Sequence, residues 1–323
     1  MSSTTTTPPG AIVGPQTPRS RMPAFLSGGG WQWLLFVGPA IILLLAFIVY
    51  PTIWTIRLSL DTGRGLEFRE FVGLDNYVRL FTEDRRFLDL SEFPPEGAIV
   101  NNLLWAVLYT GLCLLFGLVI AVLAARVRYE SMLKAVIFVP MAIAATAVAL
   151  IWKFVYSPDP DVGVLNAVIN AAGLTPIPWL GRESTVNYAL IFANVWASAG
   201  FAMVVLSAAL KGISQEVIEA ARTDGATEWN IFRRIQLPLL SLPISVVTVW
   251  LLINVIKLFD LIYIATAGGP NGASRVIGYS MYEETFQGGR GGYGSAIAVV
   301  MLLLIIPIMA FNIKRFRTEA VQG

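Results

Sequence analysis

Residues Leu103–Ala125 read LLWAVLYTGLCLLFGLVIAVLAA, 23 consecutive positions without a charge. Folded as helix at about 1.5 Å of rise per residue, such a run crosses a hydrocarbon core about 30 Å thick and satisfies its own backbone hydrogen bonds. Five further runs share this character: Leu34–Ile56, Ala135–Tyr156, Tyr188–Leu210, Leu242–Ala265 and Ser295–Ile313. Lys153, Lys257 and Asp260 are the only charges within the six. So many long runs with so few charges argue against a buried soluble core. The reading is an all-α membrane protein with six transmembrane helices.

Composition agrees. Of 323 residues 56% are hydrophobic and only 14% charged, against roughly 25% in soluble domains. The balance of 23 basic and 21 acidic residues gives +2, so no basic surface points to nucleic acid. The chain has no histidine, which removes Ser-His-Asp and Cys-His catalysis, imidazole metal sites and His pH switches. Cys113 stands alone, so neither an intramolecular disulfide nor a Cys-rich metal site can form. No catalytic and no metal-binding set is expected.

Charges in the connections set the orientation. With both termini in the cytoplasm, the inner segments carry 12 basic residues and the outer ones 9, of which 6 lie in the long connection Arg57–Asn102 where the rule is weak. The short flanks Arg126, Arg128, Lys134 and Lys314, Arg315, Arg317 decide for that topology. Residues 1–30 are low in complexity and read as a disordered cytoplasmic tail. Arg19 and Arg21 precede a first apolar run too long for a signal peptide, which is therefore read as a retained span. Trp31 and Trp33 suit the membrane interface. The outer connection holds an amphipathic stretch, Asp75–Phe81, and a Pro94-Pro95 break. No internal repeat is visible, which weakens a reading as a secondary transporter built from inverted halves.

The chain lacks any Gly-Lys dipeptide and so has no P-loop of its own. Lys257 and Asp260, three apart, are expected to neutralise each other or to lie near the outer surface rather than to form a proton relay. The informative segment lies between the fourth and fifth runs. Ser214 can cap a short helix whose first turn holds Glu216. Ala220 and Ala221 give that helix a face of small side chains, and Gly225 can end it in a left-handed turn. Trp229 and Phe232 then share a face, and Pro238 opens the fifth run. Two short surface helices result, suited to packing on lipid headgroups or to docking a partner.

The spacing of Glu219, Ala220, Ala221, Gly225, Ile235, Leu237 and Pro238 resembles, without departure, the signature of permease subunits of binding-protein-dependent ABC importers. Gly73-Leu74-Asp75-Asn76-Tyr77 with Phe81, Asn101-Asn102, and Leu258-Phe259-Asp260-Leu261-Ile262-Tyr263 leading to Gly268-Gly269-Pro270 are similar to maltose-, trehalose- and α-glucoside-type permeases of the carbohydrate-uptake group. The similarity covers residues 31–317, a permease domain with a coupling loop at 211–241 and a cytoplasmic tail at 318–323. It implies the type I (MetI-like) importer fold in the inner membrane of a prokaryote. It also implies a second homologous permease, two copies of a cytoplasmic ATPase that bind ATP and Mg, and an extracytoplasmic sugar-binding protein. This chain would hold no cofactor, and the helix around Glu219–Gly225 would seat in an ATPase groove.

A neutral sugar needs amide or hydroxyl partners and a flat apolar face. Asn194 and Ser198 share a helix face with Trp196 nearby, and Asn254 and Lys257 share another one turn before Asp260. These six are the pathway candidates, interhelical hydrogen bonding being the rival role for each. Gly268, Gly269 and Pro270 are candidates for binding-protein contact. Other readings kept open are an importer for a polyamine, phosphate or amino acid, a secondary transporter or channel, and a membrane-integrated enzyme, for which no nucleophile–base pair is present.

Overall fold

The computed structural model describes residues 31–91 and 96–322, with side chains placed for 36–91 and 96–314. The readings of the tail 1–30, of the Pro94-Pro95 break and of the Trp31, Trp33, Arg315 and Arg317 side chains lie outside the described residues. Among the described residues the secondary structure is helical, and β pairing is limited to the isolated bridges Asp61–Phe71 and Asp89–Glu96.

The chain divides into one unit ending at Ile53 and another beginning at Trp54. The first holds α1 (Trp31–Leu44), a π turn over Leu45–Val49 and the start of α2 (Tyr50–Leu58). The π turn stands directly before Pro51, and the Tyr50 amide reaches back to the Leu45 carbonyl. A proline has no N–H to give and crowds the carbonyl four residues earlier. A widened turn ahead of it relieves that contact. The same device recurs in the second unit, where a π turn over Phe232–Gln236 precedes Pro238.

In the second unit the connection Arg57–Asn102 folds over α3 (Asp75–Thr82). The Asp61 carboxylate accepts the amides of Arg69 (2.7 Å) and Glu70 (3.0 Å), and Asn76 donates to the carbonyls of Ser59 and Asp61. Leu80 and Phe87 pack with Ala98, Ile277, Tyr293 and Ile297 in a core of their own. The long helices α4 (Ala98–Ala124) and, later in the chain, Glu183–Lys211 pass close enough at Gly117 that a Cβ there would lie 2.6 Å from the Ala202 Cβ. Small residues let membrane helices approach in this way.

The third apolar run is not one straight span. It forms α5 (Glu130–Phe138), a 3-10 turn over Val139–Ala142 and α6 (Ala145–Val155), bent by 100°. Pro140 withholds an amide, and Ile143 and Ala144 are extended, so the helix cannot continue through them. After α7 (Val164–Ala171) and α8 (Glu183–Lys211) come α9 (Gln215–Thr223), α10 (Glu228–Ile231) and α11 (Leu237–Leu239).

The fifth run, read as continuous over Leu242–Ala265, is also broken. Its helix α12 ends at Ile256, and α13 (Asp260–Ala265) begins after Lys257–Phe259. The segment Glu228–Leu239 meets α12 at a bend of 63°. Then follow α14 (Ile277–Tyr282) and α15 (Gly291–Gln322). Four described helices are long and apolar enough to cross a membrane, and the count reaches six when each bent pair is one span. The fold is thus the multi-pass helical one the apolar runs implied, with two spans interrupted.

Candidate functional site

The segment that carries the importer-permease spacing is built on α9. Ile218 is buried beneath it, while Glu219 and Ala220 are exposed and Ala221 half-buried. Ser214 precedes the helix but makes no side-chain cap, contrary to the reading of it as an N-cap. Its backbone is extended at φ −57°, ψ 128°, yet no oxygen of its side chain reaches the next turn. The other end matches the reading of Gly225: it takes φ +81°, its amide bonds to the Arg222 carbonyl (3.0 Å), and the Ala226 amide bonds to the Ala221 carbonyl (3.0 Å). This paired closure satisfies the last carbonyls of α9. No atom lies within 4 Å of where a Gly225 Cβ would stand, so the turn is open to a partner.

The remaining motif residues divide from these. Ile235 and Leu237 are partly buried, and with Pro238 they lie in the π turn and α11, where they shape the 63° bend. Trp229 and Phe232 pair at 5.6 Å between ring centroids. Glu219 is met by Gln215 at 3.1 Å and otherwise faces outward.

Within the helix bundle a cavity of about 380 Å³ is lined by Asn194 and Ser198 of α8, Asn254 of α12, and Lys257 and Asp260 at the helix break. Five of the six pathway candidates therefore line one cavity. Trp196 does not: its ring packs edge-on against Trp152 at 5.8 Å. The aromatic surface comes instead from Trp250, whose ring lies 4.1 Å from Phe201, and from Tyr109, which is also in the lining. Trp250 was findable, since it precedes Asn254 by four and Lys257 by seven, one helix face. Tyr109 carries no such sequence signal.

Lys257 and Asp260 are exposed, line the cavity and form no ion pair within 4.0 Å of each other, which corrects the first of the two readings given for them, mutual neutralisation. The helix break separates them: Lys257 ends α12 and Asp260 begins α13. A cation at a helix C-terminus and an anion at an N-terminus are each favoured by the local backbone dipoles, so neither needs the other. The amide of the Asn254 side chain donates to the Trp250 carbonyl at 2.8 Å, which leaves its oxygen as an acceptor.

The loop after α13 is held rigidly from below. Asn101 donates to the carbonyls of Ala273 (2.9 Å) and Arg275 (2.8 Å), and Asn187 donates to Ala273 (2.7 Å). Ser274 closes on the Gly269 carbonyl at 2.6 Å. Gly268 is buried at φ +79°, where a Cβ would lie 2.7 Å from the Tyr279 ring, so it shapes the loop and offers no surface. Gly269 and Pro270 are partly buried, joined by a cis peptide bond. Ala267 and Asn271 are the exposed residues of the loop, and the Asn271 amide donates to Glu183 Oε1 at 2.6 Å. Further along, Glu284 is buried beside Arg86 and Arg290, and burial raises its carboxyl above the ordinary value of 4.5 against the pull of both guanidiniums.

A polytopic helical chain with a polar intramembrane cavity and an exposed, glycine-terminated helix between its fourth and fifth spans has the build of a transport permease. Residues 114–313 match the family model described as the inner membrane component of binding-protein-dependent transport systems, and the chain belongs to that family. It is 44% identical to the osmoprotective compounds uptake permease protein GgtC of Synechocystis sp., over 88% of this chain and 99% of that protein. It is 39% identical to the alpha-glucoside transport system permease protein AglF of Rhizobium meliloti, over 88% and 82% of the two chains. Among solved structures, a chain of a bacterial alginate ABC transporter in complex with an alginate pentasaccharide-bound periplasmic protein superposes with a TM-score of 0.73 at 25% identity, covering 87% of this chain and 92% of that one. The chain is therefore a multi-pass inner-membrane permease.

Proposed function

We propose that the protein is one of two permeases in an ATP-driven importer of sugars or small glycosides, with both termini cytoplasmic. The observation that carries the solute class is the cavity wall: two asparagines, a serine, Trp250 and a charged pair converge there, a set suited to hydroxyl groups and a sugar's apolar face. A relative named for alpha-glucosides supports that reading over a polyamine, phosphate or amino acid.

In this reading α9 seats in a groove of a cytoplasmic ATPase, two copies of which hold ATP and Mg. Glu219 faces a basic group there, and Gly225 shapes the turn that enters the groove. ATP-driven closure of the ATPases moves α9, and the attached α8 and α12 rock the pathway between its inward- and outward-open states. An extracytoplasmic binding protein delivers the solute to the outer face, where Asn271 is exposed beside the partly buried Gly269 and Pro270. The test is uptake by cells carrying Glu219→Lys or Gly225→Asp. Transport is expected to stop while the chain remains in the membrane; normal uptake with the ATPase still bound would refute the coupling role.

A further inference from the structure

Four basic side chains and two carboxylates connect the α9 segment to the turn between α4 and α5 and to the start of α5. Arg222, in the last turn of α9, grips Glu228 at the start of α10 through Nε to Oε1 (2.9 Å) and Nη2 to Oε2 (3.4 Å). Arg126, just beyond α4, approaches the same carboxylate at 3.7 Å. On the other side of the segment, Lys211 at the end of α8 meets Glu130 of α5 at 2.9 Å, and Lys134 bonds both Glu130 and Ser207. The α4–α5 turn therefore holds the coupling loop where it begins and again after α9. Covalent connection alone would transmit movement of α9 only to α8 and α12.

We propose that Glu228 is a positioning residue for coupling: it joins α9 and α10 into one body and fastens that body to Arg126, so that displacement of α9 is carried to α4 and α5 as well. This rests on the reading of α9 as the ATPase contact. Exposed ion pairs are individually weak, so the fastening holds register within a moving part and adds little to overall stability. Two arginines converging on one carboxylate make Glu228 the member whose loss opens both links.

The experiment uses the full transporter with its second permease, ATPase and binding protein, spin-labelled at Arg128→Cys and Thr223→Cys; Cys113 is buried and is spared. In the parent the two labels should keep one separation in nucleotide-free and ATP–vanadate-trapped states. E228Q should give a broadened or second separation and lower the stimulation of ATP hydrolysis by the binding protein about fivefold, the low end of ordinary coupling energies. The triple reversal R126E/R222E/E228R should restore both. A single unchanged separation in E228Q, or unchanged stimulation, overturns the inference. So does a triple reversal that fails to restore E228Q-type loss, because Glu228 then acts on the ATPase directly. Failure of the ATPase to copurify with the parent chain would instead remove the reading of α9, and the nucleotide-free separation would still decide the link to Arg126.

Discussion

Asn102 accepts the amide of Ile277 at 2.8 Å and donates to the carbonyl of Val255 at 2.9 Å, tying α4 at once to the end of α12 and the start of α14. The three segments are distant in sequence, and the asparagine is buried between them. Its neighbour Asn101 performs the parallel task for the Ala273–Arg275 loop. Replacing Asn102 by Ala strands a buried amide and a buried carbonyl, each costing about 1–3 kcal/mol. Asn102→Ala should therefore lower the melting temperature of the detergent-solubilised protein clearly, whereas Leu103→Ala, on an exposed side chain, should not. Equal melting of the two variants would contradict the bridging role.

Gly225 separates backbone strain from steric fit. Its φ of +81° disfavours side chains, yet the space around it is empty. Asn tolerates this region better than other residues, while a β-branched side chain meets a penalty of about 1–2 kcal/mol or more. Gly225→Val should release the ATPase during purification and Gly225→Asn should largely retain it. If both release it equally, occupancy of the open space by the partner, and not the turn itself, sets the requirement.

The cavity offers a direct contrast between two tryptophans. Trp250 lines it and Trp196 packs on Trp152. Trp250→Ala and Asn254→Ala should each reduce uptake several-fold, up to about tenfold for the loss of one contact, with assembly unchanged. Trp196→Ala should stay within about twofold of the parent. Uptake measured on the solute that the binding protein retains decides between them, and a larger loss at Trp196 would argue against this cavity as the path.

The spans were legible because lipid demands long uncharged runs, and nothing else in a sequence looks like Leu103–Ala125. Their interruptions were not. Pro140 could have been tolerated inside a membrane helix whose neighbours supply the missing partner, and only the extended Ile143 and Ala144 reveal that the helix turns instead. Lys257–Phe259 contains neither glycine nor proline, so the break after α12 had no local mark. The Glu219–Pro238 motif was legible as a spacing, but its division into an exposed Glu219–Gly225 portion and a bend-forming Ile235–Pro238 portion depends on tertiary contacts. Gly73, Asn76 and Tyr77 carried a resemblance; their physical reason, Asn76 bonding Ser59 and Asp61 and Tyr77 meeting Ser59 at 2.7 Å, lies 15 to 18 residues away.

Glu284 supplies a pH dependence whose sign follows from its surroundings. The carboxylate is 3% exposed, and Arg290 lies at 2.5 Å and Arg86 at 3.8 Å. The oxygen nearest Arg290 lacks the alignment of a hydrogen bond, so desolvation outweighs the charge pairing and its carboxyl is raised above 4.5. A raised acid binds its proton more readily in the folded than in the unfolded chain. Between 4.5 and the folded value the native state thus holds more protons, and stability falls as pH rises through that window. Glu284→Gln removes this contribution. Thermal melts in detergent, taken from about pH 7 downward toward the ordinary carboxylate value, should show the parent gaining stability relative to Glu284→Gln as pH drops. The opposite slope would mean that Arg86 and Arg290 hold the carboxylate ionised, and that the start of α15 is fastened by charge pairing that acid would weaken.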